Sequence, residues 1–166
     1  MNQTVLEQKK QLVSEIADKM GKAASTVVVE YRGLTVAEVT ELRRLLREEN
    51  VEFGVYKNTM VQRASEQLGY NELLESLTGP NAIAVSPDEV AASRILHKFA
   101  KKHDKLIVKS GVVSGKVVNA DELKALSTLP NKECMISMLL GCLQSPIRSF
   151  AATVKAIADK EEPQAN

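Results

Sequence analysis

From Val27 to Gly69 the chain alternates strand and helix signals without a gap, and no other stretch constrains the fold as strongly. Val27, Val28, Val29 and Tyr31 form a β-branched run suited to a buried strand. Gly33 marks a turn. Thr35 with Glu38 then has capping-box spacing, in which each side chain accepts a backbone N–H that the first helical turn leaves free. Val36, Val39, Leu42, Leu45 and Leu46 recur at helical spacing and turn one apolar stripe toward a core, and Asn50 ends the helix. Val51, Phe53 and Val55 alternate with Glu52, Gly54 and Tyr56, the pattern of a half-buried strand. Asn58 is the expected cap of a second helix that stops at Gly69.

The basic groups in this stretch fall at its turns. Arg32 precedes Gly33, and Lys57 precedes Asn58. If the two strands lie side by side, both cations and the N-terminus of the second helix converge at one edge of a sheet. Cations beside a positive helix end suit a phosphate group. The stretch offers no reacting group, so it reads as a binding surface for a polyanion.

On either side the pattern continues. Thr4 and Glu7 have capping-box spacing, and Leu12, Val13, Ile16 and Met20 keep helical spacing up to Gly21, with Lys9, Lys10 and Lys19 on a solvated face. After Gly69 come a helical turn over 71–77, the Gly79-Pro80 turn and a third strand over 81–85. Ser86, Pro87 and Glu89 predict a helix start, with Ala91, Ile95 and Phe99 facing inward. Arg94, His97, Lys98 and Lys101 share another face of that helix, as a solvated stripe or a phosphate contact. A hairpin around Ser114-Gly115 and a short helix capped by Asn119 lead to Leu129-Pro130, the expected domain boundary. Beyond it the pattern predicts one helix from Asn131 and another opened by Ser145-Pro146. The apolar positions of the last helix, Ile147, Phe150, Ala151, Val154, Ile157 and Ala158, suit either packing on the body or cover by another protein's helices.

Composition narrows the function classes. The chain is 44% hydrophobic and 26% charged, as expected of a globular protein, and its net charge of +1 leaves RNA attraction to local clusters. It has no apolar run of signal-peptide or membrane-spanning length, and a short polar tail closes it at 161–166. Cys134 and Cys142, the two cysteines, are eight apart on one helix, about 12 Å by rise, too far for a disulfide. A reducing cytoplasm is the expected setting. Lys22 to Thr26 lacks the upstream glycine of a phosphate loop. His97 and His103 have no metal or triad spacing with the cysteines and are expected at the surface. No metal, cofactor or enzymatic chemistry is expected.

Several motifs carry a family resemblance. Tyr31-Arg32-Gly33-Leu34-Thr35, Thr40-Glu41-Leu42-Arg43 and Lys57-Asn58-Thr59-Met60 resemble the signature of the bacterial large-subunit ribosomal protein L-ten family. Gly79-Pro80 with Ala82-Ile83-Ala84, and Leu139-Leu140-Gly141 leading to Ser145-Pro146-Ile147, resemble it as well, so the likeness runs in order along nearly the whole chain. Met60 stands where the family usually has leucine, a volume-conserving exchange.

The resemblance implies an α+β fold: a ferredoxin-like-type sheet packed with helices over residues 1–130, followed by a protruding helical spine over 131–166. It implies that the first part binds the GTPase-associated region of large-subunit rRNA with protein L-eleven. The spine would carry dimers of the acidic protein L-seven/L-twelve, which recruit translation factors. By position, the RNA-facing motif falls on Arg32, Gly33, Lys57, Asn58 and Arg63, and the partner-binding stripe on Ile147, Phe150, Ala151, Val154, Ile157 and Ala158. The segment from Pro146 to Lys160 spans about 22 Å, which suggests two acidic dimers. The expected place is the cytoplasm, ribosome-bound. The rivals are an RNA-binding regulator acting on its own messenger RNA and a protein-only helix-docking scaffold.

Overall fold

The computed structural model describes residues 3–161. Along it run α1 (Gln3–Lys22), β1 (Ser25–Glu30), α2 (Val36–Glu48), β2 (Glu52–Gly54), α3 (Asn58–Leu68), a 3-10 helix (Asn71–Ser76), β3 (Asn81–Ser86), α4 (Ala91–Ala100), β4 (Ile107–Val113), β5 (Lys116–Asn119), α5 (Ala120–Ser127) and α6 (Lys132–Glu161). They fall into two compact units, the first ending at Leu129 and the second starting at Pro130. Thr4 is the second residue of α1, and its side chain, expected as a cap, lies outside the described residues, as does the polar tail beyond Glu161.

The first unit is α+β. Its five strands are antiparallel throughout, in the order β2-β3-β1-β4-β5. The first four have the order and directions of a ferredoxin-like sheet, with α3 inserted between β2 and β3 and β5 added at the far edge. Because side chains alternate across a strand, β1 serves two cores at once. Val27 and Val29 pack with Leu42 and Leu46 of α2, Leu96 and Phe99 of α4 and Leu123 of α5. Val28 packs on the opposite face with Val13, Ile16 and Met20 of α1 and Val61 and Ala64 of α3. All three valines are fully buried.

A bulge sets the register of β4. Val28 pairs with Ser110 and Val29 with Val108, which leaves Lys109 as the extra residue. Val108 therefore belongs to the core under α2 and α4, whereas Val112 reaches the other one. Without the extra residue these two positions would share a face.

The Thr35–Glu38 box forms as the spacing predicts. The Glu38 carboxylate accepts the Thr35 N–H at 2.6 Å and its hydroxyl at 2.8 Å, while the Thr35 hydroxyl accepts the Glu38 N–H at 3.4 Å. The Thr35 donors, and after them His103, hold the Glu38 carboxyl below the usual carboxylate range. Its stabilising effect is therefore complete above the unfolded value of about 4.3 and is lost as pH falls through the lower folded value. Thr35→Ala is expected to cost about 1 kcal/mol in urea unfolding at neutral pH, with a smaller gap near about pH 3.

Elsewhere the structure departs from the pattern. Ser86 does not open α4, because it is taken into β3 opposite Ser25; its hydroxyl accepts the Asp88 N–H at 3.0 Å, and α4 begins only at Ala91. Val36 is 84% exposed rather than turned to the core, since the first turn of α2 runs beyond the sheet contacts that bury Leu42 and Leu46. The histidines are half-buried, not on the surface: His103 stacks on Phe99 at 4.3 Å and meets Glu38 at 3.1 Å.

The second unit holds a single helix where two were expected. α6 runs unbroken for 30 residues, about 45 Å, with Pro146 inside it. The proline removes one intrahelical N–H. Helical pairing spans the gap, as in the Arg148 guanidinium donating to Gln144 at 2.8 Å, one turn away. Continuity joins the apolar residues on both sides of Pro146. Ile136, Leu140, Leu143, Ile147, Phe150, Val154 and Ile157 recur at alternating steps of four and three, a single helical seam.

Candidate nucleic-acid interface

Arg32 and Lys57 are placed by strands that are not neighbours. β3 lies between β1 and β2, so the side-by-side pairing expected from the sequence does not occur. Both strands run antiparallel to β3, however, and so point the same way. Arg32 and Lys57 follow their ends on one side of the sheet, two strand spacings apart, about 10 Å. The Gly79-Pro80 turn, which leads into β3, lies between them.

Local bonding defines this end of the sheet. The Leu34 N–H donates to the Tyr31 carbonyl at 3.3 Å, and Gly33 sits third in that turn at φ 87°, a conformation that favours glycine. A Cβ at Gly33 would lie 3.4 Å from Lys105 Cδ, so a third exposed cation covers the turn. Lys57 is the N-cap of α3, and no side chain caps that helix start. Asn58, expected as the cap, is instead the first helical residue, and its amide donates to the Gly79 carbonyl at 2.7 Å. The bond pins the α3 N-terminus to the turn before β3 and leaves its positive end open.

Some cations at this end are already committed. Lys109, carried out by the bulge, donates to the Thr78 carbonyl at 2.6 Å and meets Glu30 at 2.7 Å. Its ammonium braces the turn and is not free for phosphate. By contrast, Arg32, Lys57 and Lys105 form no ion pair among the described residues. Lys105 and the bracing pair of Lys109 with Glu30 went unread in the sequence, because partners so far apart in the chain leave no local pattern.

Arg63 stands apart from the others. It lies six residues beyond Lys57 on α3, about 9 Å along the axis, and lines an open groove with Lys9, Lys10, Val13, Glu66 and Gln67. Of the expected RNA-facing residues, Arg32, Gly33, Lys57 and Asn58 share one end of the sheet, and Arg63 belongs to this groove.

The remaining basic stretches divide. Lys19 is bound to Glu52 at 2.7 Å, and that carboxylate raises its pKa above the ordinary lysine value. On α4, Arg94 is paired with Glu49 at 2.8 Å, and burial, with Lys101 and Lys124 nearby, holds His97 below its usual value. Lys98 and Lys101 alone leave no continuous stripe of free cations. Arg44 of α2 meets Glu48 at 3.7 Å, one turn along the same helix.

The second unit presents a different surface. Ile147 is 73% exposed, Phe150 72%, Val154 50% and Ile157 59%, and Ala151 and Ala158 are exposed beside them. Cys134 and Cys142 are exposed thiols. Among the described residues no helix is long and apolar enough to cross a membrane, and no group of His, Cys, Asp or Glu could hold a metal ion.

Residues 4–101 match the family model described as ribosomal protein L10, and residues 129–164 match that of the ribosomal protein uL10 C-terminal region. Relatives from Bacillus cereus and Bacillus anthracis, each called large ribosomal subunit protein uL10, are 55% identical over 161 residues, spanning 96% of this chain and 97% of theirs.

Proposed function

Because the chain belongs to the ribosomal protein L10 (uL10) family, a large-subunit ribosomal protein and not an enzyme, we propose that it is an adapter of the ribosomal stalk with one task for each unit. The first unit holds large-subunit rRNA in its GTPase-associated region, beside protein L-eleven. The second carries dimers of the acidic protein L-seven/L-twelve, which bring translation factors to the cytoplasmic ribosome.

One observation carries this reading: the apolar seam of α6 is exposed along its length, with Ile147, Phe150, Val154 and Ile157 all at least half-accessible. A long exposed apolar seam on a helix marks a surface suited to cover by another protein's helices. In the first unit, Arg32, Lys57 and the open start of α3 supply phosphate contacts that orient the protein on RNA without reading its sequence. Display of several copies of one factor-binding protein raises its effective concentration near the factor site.

Co-expression with the acidic stalk protein tests the arrangement. The full chain is expected to co-purify it as two dimers by native mass spectrometry, on the segment from Pro146 to Lys160. A chain ending at Gln144 should capture none. Equal capture by both chains would place the anchor elsewhere, and three dimers would mean that the seam is occupied from Ile136 onward.

A further inference from the structure

We infer that the groove between α1 and α3 is a second phosphate-backbone surface, gripping RNA at a distance from the sheet end. The inference rests on the RNA-binding reading of the first unit and adds a separate contact to it. The two helices touch where a Cβ on Gly21 would lie 3.7 Å from Leu68 Cδ2. Toward the N-terminal part of α1 they leave an open groove of about 610 Å³. Lys9, Lys10 and Arg63 line it against one carboxylate, Glu66, a local excess of two positive charges (three minus one) in a chain whose net charge is +1.

Two features set these cations apart from an ordinary solvated helix face. First, they are uncommitted. Lys9 has no carboxylate three or four residues away on its helix, and Lys10 has only Glu7. Arg63 has Glu66 three residues on, yet none of the three cations forms an ion pair among the described residues. Lys19, on the same helix, is paired. Second, they surround a concavity whose floor includes buried Val13, and a low-dielectric wall beside clustered cations strengthens their field. The Gln67 amide at the rim can donate to phosphate oxygen or to a ribose hydroxyl. A polyanion with regularly spaced charges fits a row of lysine and arginine better than a small anion does, because none of the described lining residues is a buried donor that could fix a single ion.

The test compares three double variants of the full chain for binding to large-subunit rRNA between about 50 and 200 mM salt. Removal of two phosphate contacts should flatten the plot of log K against log salt by about 1.4 to 1.8. That change is expected for Lys9→Gln/Lys10→Gln, with about tenfold weaker binding, and an exposed-surface change of this kind should leave the melting temperature alone. Lys98→Gln/Lys101→Gln removes the same charge from α4 and should leave the slope near wild type. If both lysine pairs flatten it equally, the effect is bulk charge and the groove proposal fails. If Lys9→Gln/Lys10→Gln leaves the slope unchanged, the groove does not hold RNA. Arg32→Ala/Lys57→Ala reports on the sheet end separately: an unchanged slope there would overturn that site without touching the groove.

Discussion

Phe150→Asp in the full chain is expected to weaken capture of the acidic stalk protein by about a thousandfold, while unfolding of the first unit stays at wild type. Phe150 is 72% exposed and contributes nothing to either core of the sheet, so the change has no folding penalty there. In the complex the ring would be covered, and burial of a phenylalanine is worth up to about 3 kcal/mol. Aspartate forfeits that, must be desolvated, and faces a partner of its own sign. A total near 4 kcal/mol corresponds to about three decades in Kd. Phe150→Leu should keep most of the affinity, because apolar area is retained. Isothermal titration with the acidic protein measures all of this, and wild-type affinity for Phe150→Asp would remove the α6 seam from the interface.

Gly111→Ala is expected to cause a large loss of stability from a single methyl group. Gly111 pairs with Val27 on one side and Val118 on the other, in the middle of the sheet. A Cβ there would lie 2.7 Å from the Thr26 carbonyl oxygen and 3.4 Å from both Val27 Cα and Leu123 Cδ1. Two of these neighbours are backbone of the central strand, which cannot retreat without breaking its ladder with β4. Overpacking of this kind costs about 3 kcal/mol, or about 10 °C in Tm for a unit of this size. The strain comes from contact, not from a left-handed backbone, so serine should fare no better than alanine. A thermal melt of the variant settles the matter: a Tm within about 2 °C of wild type would mean that β1 and β4 can separate at little cost.

Local chemistry was legible without the structure. The Thr35–Glu38 box forms and α5 starts at Asn119 as expected, because each feature needs only residues within one turn. The inward faces of α1 and α4 and the apolar stripe after Pro146 followed from helical spacing for the same reason. The motifs around Arg32 and Lys57 resembled those of the L-ten family, to which the chain belongs. Two misreadings share one cause. Ser86 and Asn58 are good caps in isolation, but Ser86 is held in the ladder with Ser25 and the Asn58 amide is drawn to Gly79, partners 61 (86 minus 25) and 21 residues away. Pro146 reads as a break, yet the helix continues through it, since the loss of one hydrogen bond does not outweigh the turns on either side.

The sequence by itself determined where most strands and helices fall, most of their apolar faces, and that two cations stand just past the ends of two strands. Period, caps and turn residues act over a few positions, and the chain carries them openly. Only the tertiary structure decided that β3 separates β1 from β2, that the bulge at Lys109 turns Val112 to the other core, and that Lys105 covers Gly33. It also decided which charges are spent. Lys19, Arg94 and Lys109 are tied to carboxylates, whereas Lys9, Lys10 and Arg63 gather around one groove. An ion pair depends on distance in space, and residues 33, 45 or 79 positions apart meet only once the sheet has brought their elements together.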